Sequence, residues 1–392
     1  MTSKVPLRAA FASLAAASLL ALAACSSGDA TTDSAANGPA SAAAADVDLA
    51  GAQKQLDQYS QPFTWQSPGA AFDASAAKGK RVVYIPVDNS IPFFAPISNQ
   101  MKEAFASVGV DFDVCDGKGN PGQWATCIDD AVGRQAGAII IDSFTTSSVQ
   151  ASLDKARAAG VKIIDGNNGD PGTVPPAADA RVSFPYSLAG RLVSDWIVAD
   201  SGGKANVLII QSPESGNVPD VVGKGYKAEL TAKCPTTCKV KVVDVSFADW
   251  ATRLQSTVQS QLAADPSINY VIPIYDGMST YVVPGIQAAG ATGKVKVATF
   301  NSNLDPMKKM ASGGAVSVDV GSSQAYEGWA YADQALRLMT GQQPLDDQLV
   351  PVRVFTTQNV DKLQLTREAE LSGEWFGDSS YKNEYKKLWR VG

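Results

Sequence analysis

From Lys80 onward, short apolar runs alternate with longer stretches in which apolar positions recur every three or four residues. "RVVYIPV" gives way to "APISNQMKEAFASVG", "VDFDVC" to "QWATCIDDAVGRQ" and "AIII" to "SSVQASLDKARAAG", and "VKIID" closes the series. The helical stretches end at or just before Gly109, Gly137 and Gly160, where a left-handed C-cap is expected. Strand and helix in strict alternation predict a parallel sheet covered on both faces. After "SFPYSLAGRLVSDWIVADSGG" the series repeats, through "ANVLIIQ", "KVKVVDVS", "NYVIPI", "VKVATF" and "AVSVDV". Two such series in about 300 residues predict an α/β chain of two doubly wound parallel-sheet lobes rather than one large sheet.

The N-terminus has another character. "MTSKVPLRAAFASLAAASLLALAAC" places Lys4 and Arg8 ahead of an Ala-rich apolar run, the pattern of an export signal over residues 1–24. Its end, Leu22-Ala23-Ala24-Cys25, resembles the lipobox of bacterial lipoproteins, which implies a lipidated Cys25. Residues 25–46 are a Ser/Ala/Gly/Asp tract too polar to order itself, read as a lipid-anchored flexible linker. Residues 47–79 follow as a poorly periodic, irregular lead-in. The chain is therefore expected outside the cell, anchored by lipid to the outer face of the cytoplasmic membrane.

Composition narrows the chemistry. The net charge of −6 leaves no electrostatic footprint for nucleic acid. There is no histidine, which removes Ser-His-Asp and Cys-His nucleophilic sites and His-ligated zinc. No catalytic residue, metal or cofactor is expected. Besides Cys25, the exported chain holds Cys115, Cys127, Cys234 and Cys238, an even number. Local disulfides are expected, since "CPTTC" closes a small loop and Cys115 ends a strand just before the helix carrying Cys127. Free buried thiols or a four-Cys metal site are the alternatives, and the unequal spacings argue against the metal.

The stretch "GKGNPG", Gly117 to Gly122, fits the glycine fingerprint of dinucleotide sites and is trailed by Asp142. That fingerprint belongs to the first strand-to-helix turn, whereas here it follows the second strand. A tight turn with Pro121 opening the helix accounts for it. Asp111, Asp113 and Asp116 are spaced somewhat like a calcium loop, but the downstream Glu of that loop is missing, and a solvated strand face is the better reading.

From about Arg81 to Arg353 the chain resembles the type I periplasmic binding proteins of the ribose/galactose group, the solute receptors of bacterial ABC importers. "IPFFAP", "AGAIIID", "AAGVKIIDGNN", "LAGRLVSDWI", "GKGY", "IPIYDGMSTYVVPGIQAAG" and "VATFNSN" carry the resemblance, in matching order and spacing. It implies two lobes joined by a three-segment hinge, the N-terminal one from 80–184 plus 320–350, the C-terminal one from 185–319 plus 351–392. A monomeric receptor is implied, which closes on a small sugar-like solute and hands it to the permease and ATPase subunits of an importer. A receptor serving a membrane kinase is the sensory alternative.

Ligands of such sheets lie beyond the carboxyl ends of the strands. The candidate stretches are Asp88–Phe94, Asp142–Ser147, Asp165–Asn168, Gln211–Gly216, Phe247–Trp250, Tyr275–Gly277 and Asn301–Asn303. By resemblance, Phe93, Phe94 and Trp250 would clamp the solute ring, Asp165 would bind a hydroxyl, and Asn167, Tyr275 and Asn301 would complete the site. The polar pattern departs from that of the ribose binders. Ile91 stands where they have Asn, Gly166 and Val222 where they have Arg, Tyr275 for Asn and Asn301 for Asp. Without those guanidinium donors, a sugar or polyol is expected, with a less polar or aromatic solute as the alternative.

Overall fold

Val82–Ile85, Ile139–Ile141 and Ile163–Ile164 are buried at every consecutive position, as strands covered on both faces must be. The computed structural model describes residues 47–391; the signal, Cys25 and the linker lie outside them. In the first lobe, β1 (Arg81–Pro86), β2 (Asp111–Val114), β3 (Ala138–Asp142), β4 (Lys162–Gly166) and β5 (Ala180–Val182) pair in the order β2-β1-β3-β4-β5, all parallel. The second lobe adds β6 (Asn206–Gln211), β7 (Lys239–Asp244), β8 (Tyr270–Pro273), β9 (Lys296–Phe300), β10 (Val316–Ser322) and β11 (Val352–Thr356). Their order is β11-β10-β9-β8-β6-β7, and β11 alone runs antiparallel. These are the two doubly wound lobes expected. Each sheet reverses its strand order around its first strand, β1 or β6, which sets a crevice at the carboxyl ends.

The fingerprint-like turn follows edge strand β2. Asn120 caps the helix Pro121–Gly133, its side chain accepting from Gly122 and Gln123 N–H. Gly117 is required because a Cβ there would sit 2.3 Å from the carbonyl of Pro86. Asp111 and Asp113 pair with Arg81, and Asp113 also with Arg134, so this carboxylate face is taken up by ion pairs. Disulfides join Cys115 to Cys127 and Cys234 to Cys238.

Lobe membership differs from expectation at two places. Strand β10 continues to Ser322 inside the second sheet, so residues 320–322 belong there, and the crossover precedes helix Gln324–Met339, which packs in the first lobe. The C-terminal segment does not stay with the second lobe. Trp375 and Phe376 fill that lobe's core, but Tyr381, Tyr385, Leu388 and Trp389 enter the first. There the Trp389 ring stacks on Trp329 at 5.5 Å, and its Nε1 donates to Asp333 Oδ1 at 2.7 Å.

The lead-in is ordered where an irregular segment was expected. Helix Leu49–Tyr59, capped by Asp48, drops Ala52 and Leu56 into the second lobe's core. The chain then runs across the hinge beside the C-terminal segment. Phe63 N–H donates to Phe376 O (2.9 Å), and its ring packs edge-on against Tyr326. Phe72 N–H donates to Leu388 O (2.8 Å) in the first lobe.

Candidate solute-binding cleft

A cavity of about 100 Å³ lies between the lobes at the carboxyl ends of their strands. One ordered water needs roughly 10–15 Å³ of such space, so the cavity is sized for a solute of about ten heavy atoms rather than an oligomer. The first lobe contributes Val87, Ile91, Phe93 and Phe94 after β1, Ser143 after β3 and Asn167 after β4. The second contributes Ser215 and Asn217 after β6, and Phe247 and Trp250 after β7. Tyr275, Asp276 and Gly277 come from the β8 loop, Asn301 and Asn303 from the β9 loop, and Tyr186 from the crossover helix. Ser143, Asn167, Asn301 and Ser302 all have positive φ, at 64°, 55°, 123° and 60°. Left-handed backbone at non-glycine residues is costly and persists where a site holds it.

The cleft lips touch. Asp170 N–H, in the loop after β4, donates to Asp220 Oδ2 of the second lobe at 2.9 Å. A Cβ on Gly216 would lie 3.3 Å from Asn168 O across the same lip. The lobes are therefore in a closed arrangement.

Aromatic rings stand on both sides. Phe93 and Phe94 pack edge to face at 5.2 Å in the first lobe. In the second, Phe247, Trp250 and Tyr275 form a triangle of centroids 5.1–6.1 Å apart, backed by Phe300. Trp250 is fixed by its Nε1 donating to Ser212 Oγ at 3.0 Å. Tyr275 is fixed by a 2.5 Å bond between its hydroxyl and Ser215 Oγ and by donation to Asn217 Oδ1 at 3.0 Å.

Two sets of buried carboxyls support the polar lining. Asn167 Nδ2 donates to Glu327 Oε1 (2.6 Å) and Asp142 Oδ1 (3.1 Å), while its Oδ1 accepts from Phe184 N–H. Asp142 also accepts from the Tyr84 and Tyr331 hydroxyls. Burial pushes Asp142 up to about 6 against these hydrogen bonds. Burial, and then the Asp142 charge, lifts Glu327 well above the usual carboxylate range. On the other lobe Asp276 meets Asp319 carboxyl to carboxyl. Burial raises Asp276 to about 6, held from rising further by Asn303. Asp319 is raised well above its ordinary value, by burial first and then by Asp276. In each pair burial disfavours the ionised form, and among the described residues no Lys or Arg acts on these four carboxyls to offset it.

Of the residues singled out in the sequence, Phe93, Phe94, Asn167, Trp250, Tyr275 and Asn301 line this cavity. Asp165 does not. It is 1% exposed, accepts from Arg181 Nε at 2.7 Å and from Asn168 Nδ2 at 2.9 Å, and so organises the loop beneath the cleft. The stretches chosen after each strand contain most of the other lining residues, while Val87, Tyr186 and Asn217 fall outside them. Asn217 lies one position past its stretch. Tyr186 opens a crossover helix and carries no strand-end signal in the sequence. Among the described residues, no helix is long and apolar enough to cross a membrane and no cluster of metal-ligating side chains occurs.

Two parallel-sheet lobes with ligand-sized space at their facing strand ends define a cleft receptor. The chain belongs to the periplasmic binding protein domain family, whose pattern matches residues 82–343. It is 27% identical over 288 residues to the D-apiose import binding protein of Actinobacillus succinogenes, covering 72% of this chain and 90% of that one. It is 24% identical over 254 residues to the xylitol-binding protein of Mycolicibacterium smegmatis, covering 60% and 66%. Its fold matches the 5-methylthioribose transporter solute binding protein of Thermotoga lettingae, with a TM-score of 0.68 at 18% identity, over 80% of this chain and 99% of that one.

Proposed function

We propose that this protein is the extracytoplasmic solute receptor of an ABC importer, binding a small neutral sugar or sugar-like polyol between its lobes and delivering it to a membrane permease. The observation that carries this reading is the cavity between the two lobes at their facing strand ends. Rings from opposite lobes can cover the apolar C–H faces of a sugar. Amide and hydroxyl groups of Ser143, Ser215, Asn217, Asn301 and Asn303 meet its hydroxyls. Family membership supports the receptor role, and the sugar and polyol named for the curated relatives support the solute class.

The mechanism follows from the two lobes. An open form takes solute on one lobe, and hinge closure buries it between both. Closure is favoured only as far as the solute binds the closed form better than the open one. The closed pair of lobes then presents the surface that docks on the permease. Cys25, as the lipidated residue, holds the receptor at the outer face of the membrane, which keeps the released solute beside its transporter.

Titration of the purified protein with D-ribose, D-allose, D-apiose, xylitol and myo-inositol, followed by thermal unfolding, tests the reading. A bound solute at 100 times its Kd adds about 2.7 kcal/mol of stability. Stabilisation by members of this panel or their deoxy derivatives is expected. Stabilisation only by charged solutes or by aromatic compounds without hydroxyls would overturn it.

A further inference from the structure

The hydrogen-bonding capacity of the cleft is unequally divided between its walls. On the second lobe, Asn303 Oδ1 is buried with no partner among the described residues. Asn217 spends its Oδ1 on Tyr275 and Ser215, which leaves its Nδ2 as a donor. Asn301 and Ser215 line the same side. On the first lobe, Asn167 is consumed internally, donating to Glu327 and Asp142 and accepting from Phe184. Ser143 Oγ donates its proton to Asp142 and can only accept. The rest of that wall is Val87, Ile91, Phe93 and Phe94.

Two of these features concern the apolar surface. Ile91 is 40% exposed and Phe247 41%, both large apolar side chains left open to solvent, and they stand on opposite lobes of the same cavity. An exposed pair of this kind at a cleft marks a binding surface rather than stray surface hydrophobes. The charged side chains give the complementary result. Among the described residues, the cavity lining holds no Lys or Arg, and its single carboxyl, Asp276, is already engaged by Asn303. Arg367, which lines the adjoining groove with Ile91, is paired with Glu370.

We infer that the preferred solute is an uncharged, partly deoxygenated sugar or polyol whose hydroxyls face the amides of the second lobe and whose apolar edge or substituent lies against Val87, Ile91, Phe93 and Phe247. This deepens the sugar-receptor reading and rests on it. Away from the Ser143 acceptor, a hydroxyl placed against the first-lobe wall would be desolvated without a partner, and a carboxylate or phosphate would find no cation in the lining. Ile91 is the exposed apolar residue of that wall, so placing an amide there is the direct probe of the preference.

Calorimetric titration of the intact protein with matched pairs tests the inference: 5-methylthioribose against D-ribose, D-fucose against D-galactose, and ribose against ribose 5-phosphate. In at least one of the two deoxygenated pairs the apolar member should bind at least about tenfold tighter, the phosphate should not bind, and Ile91→Asn should shrink the ratio. Ile91 is exposed, so the variant should fold; its unfolding curve checks this. Tighter binding of ribose and galactose than of their partners, or an unchanged ratio in the variant, overturns the inference while leaving a sugar receptor. Binding of the phosphate overturns it as well. Failure of every neutral compound in both this set and the polyol panel overturns the receptor reading itself.

Discussion

Asp276 takes two hydrogen bonds from Asn303, the backbone N–H to Oδ2 at 2.6 Å and Nδ2 to Oδ1 at 2.7 Å, and behind it lies the carboxyl of Asp319. This arrangement binds the β8 loop to the β9 loop and leaves the Asn303 amide oxygen, on a residue of the cleft lining, without a partner among the described residues. In the first lobe Asn167 likewise sits on two carboxyls, Asp142 and Glu327, but its oxygen accepts from Phe184 N–H and its amide is used internally. Each lobe thus sets an asparagine of the cleft lining on two buried carboxyls whose pKa values burial raises.

The pairs make stability depend on pH. An acid whose folded pKa lies above its unfolded value stabilises the fold fully at pH below the unfolded value and loses that contribution as pH rises through the folded one. Asp142 and Asp276, raised from 3.8 to about 6, place part of this loss between pH 4 and 6, and the higher groups Asp319 and Glu327 extend it upward. Asp319→Asn and Glu327→Gln, isosteres of the protonated forms, are expected to gain on the wild type as pH rises. The gain is about 1.4 kcal/mol per pH unit while the acid is ionised only in the unfolded chain. Urea unfolding at pH 5, 7 and 8.5 measures it, and a difference independent of pH would contradict the raised pKa values of these buried acids.

Trp250 and Phe93 face the cavity from different lobes, and the solute is expected to contact both. Trp250→Ala and Phe93→Ala should each weaken binding of the tightest sugar or deoxysugar roughly 30-fold or more, as buried aromatic anchors do. Asp165→Asn should instead lower stability, since it leaves Arg181 without its charge partner. A loss of affinity in Asp165→Asn at unchanged stability would return Asp165 to the binding surface.

Phe63 joins the two terminal segments at the hinge, bonded to Phe376 of the second lobe and packed on Tyr326 of the first. Phe63→Ala is expected to destabilise the protein by roughly 2 kcal/mol, less than a fully buried Phe because the ring is half-buried. Chemical denaturation tests this, and a change within about 0.5 kcal/mol would show that the strap packs without bearing on stability.

The two lobes, their parallel strands and the cleft position were legible because Val- and Ile-rich runs such as Val82–Ile85 and Ile139–Ile141 signal parallel strands directly, and strand ends signal where ligands lie. The lead-in and the tail were not. Helix Leu49–Tyr59 buries only Ala52 and Leu56, too few apolar positions for a clear period. Trp389 shows in sequence as an apolar residue in a polar segment, and nothing local tells which lobe's slot it fills. Asp165 lies outside the lining because an Asp closing a strand suits a loop anchor as well as a hydroxyl partner, and here Arg181, sixteen residues on, takes its carboxylate. Tyr186 entered the cleft from a crossover helix, a route strand-end reasoning does not cover.

Closure on a neutral solute is the central claim, and small-angle X-ray scattering of the protein with and without its tightest-binding sugar or deoxysugar measures it most directly. The saturated protein should be more compact than the free one and should fit the closed lobes joined at Asp170 and Asp220. Scattering that is unchanged by a saturating, calorimetrically confirmed solute would contradict a receptor that works by hinge closure.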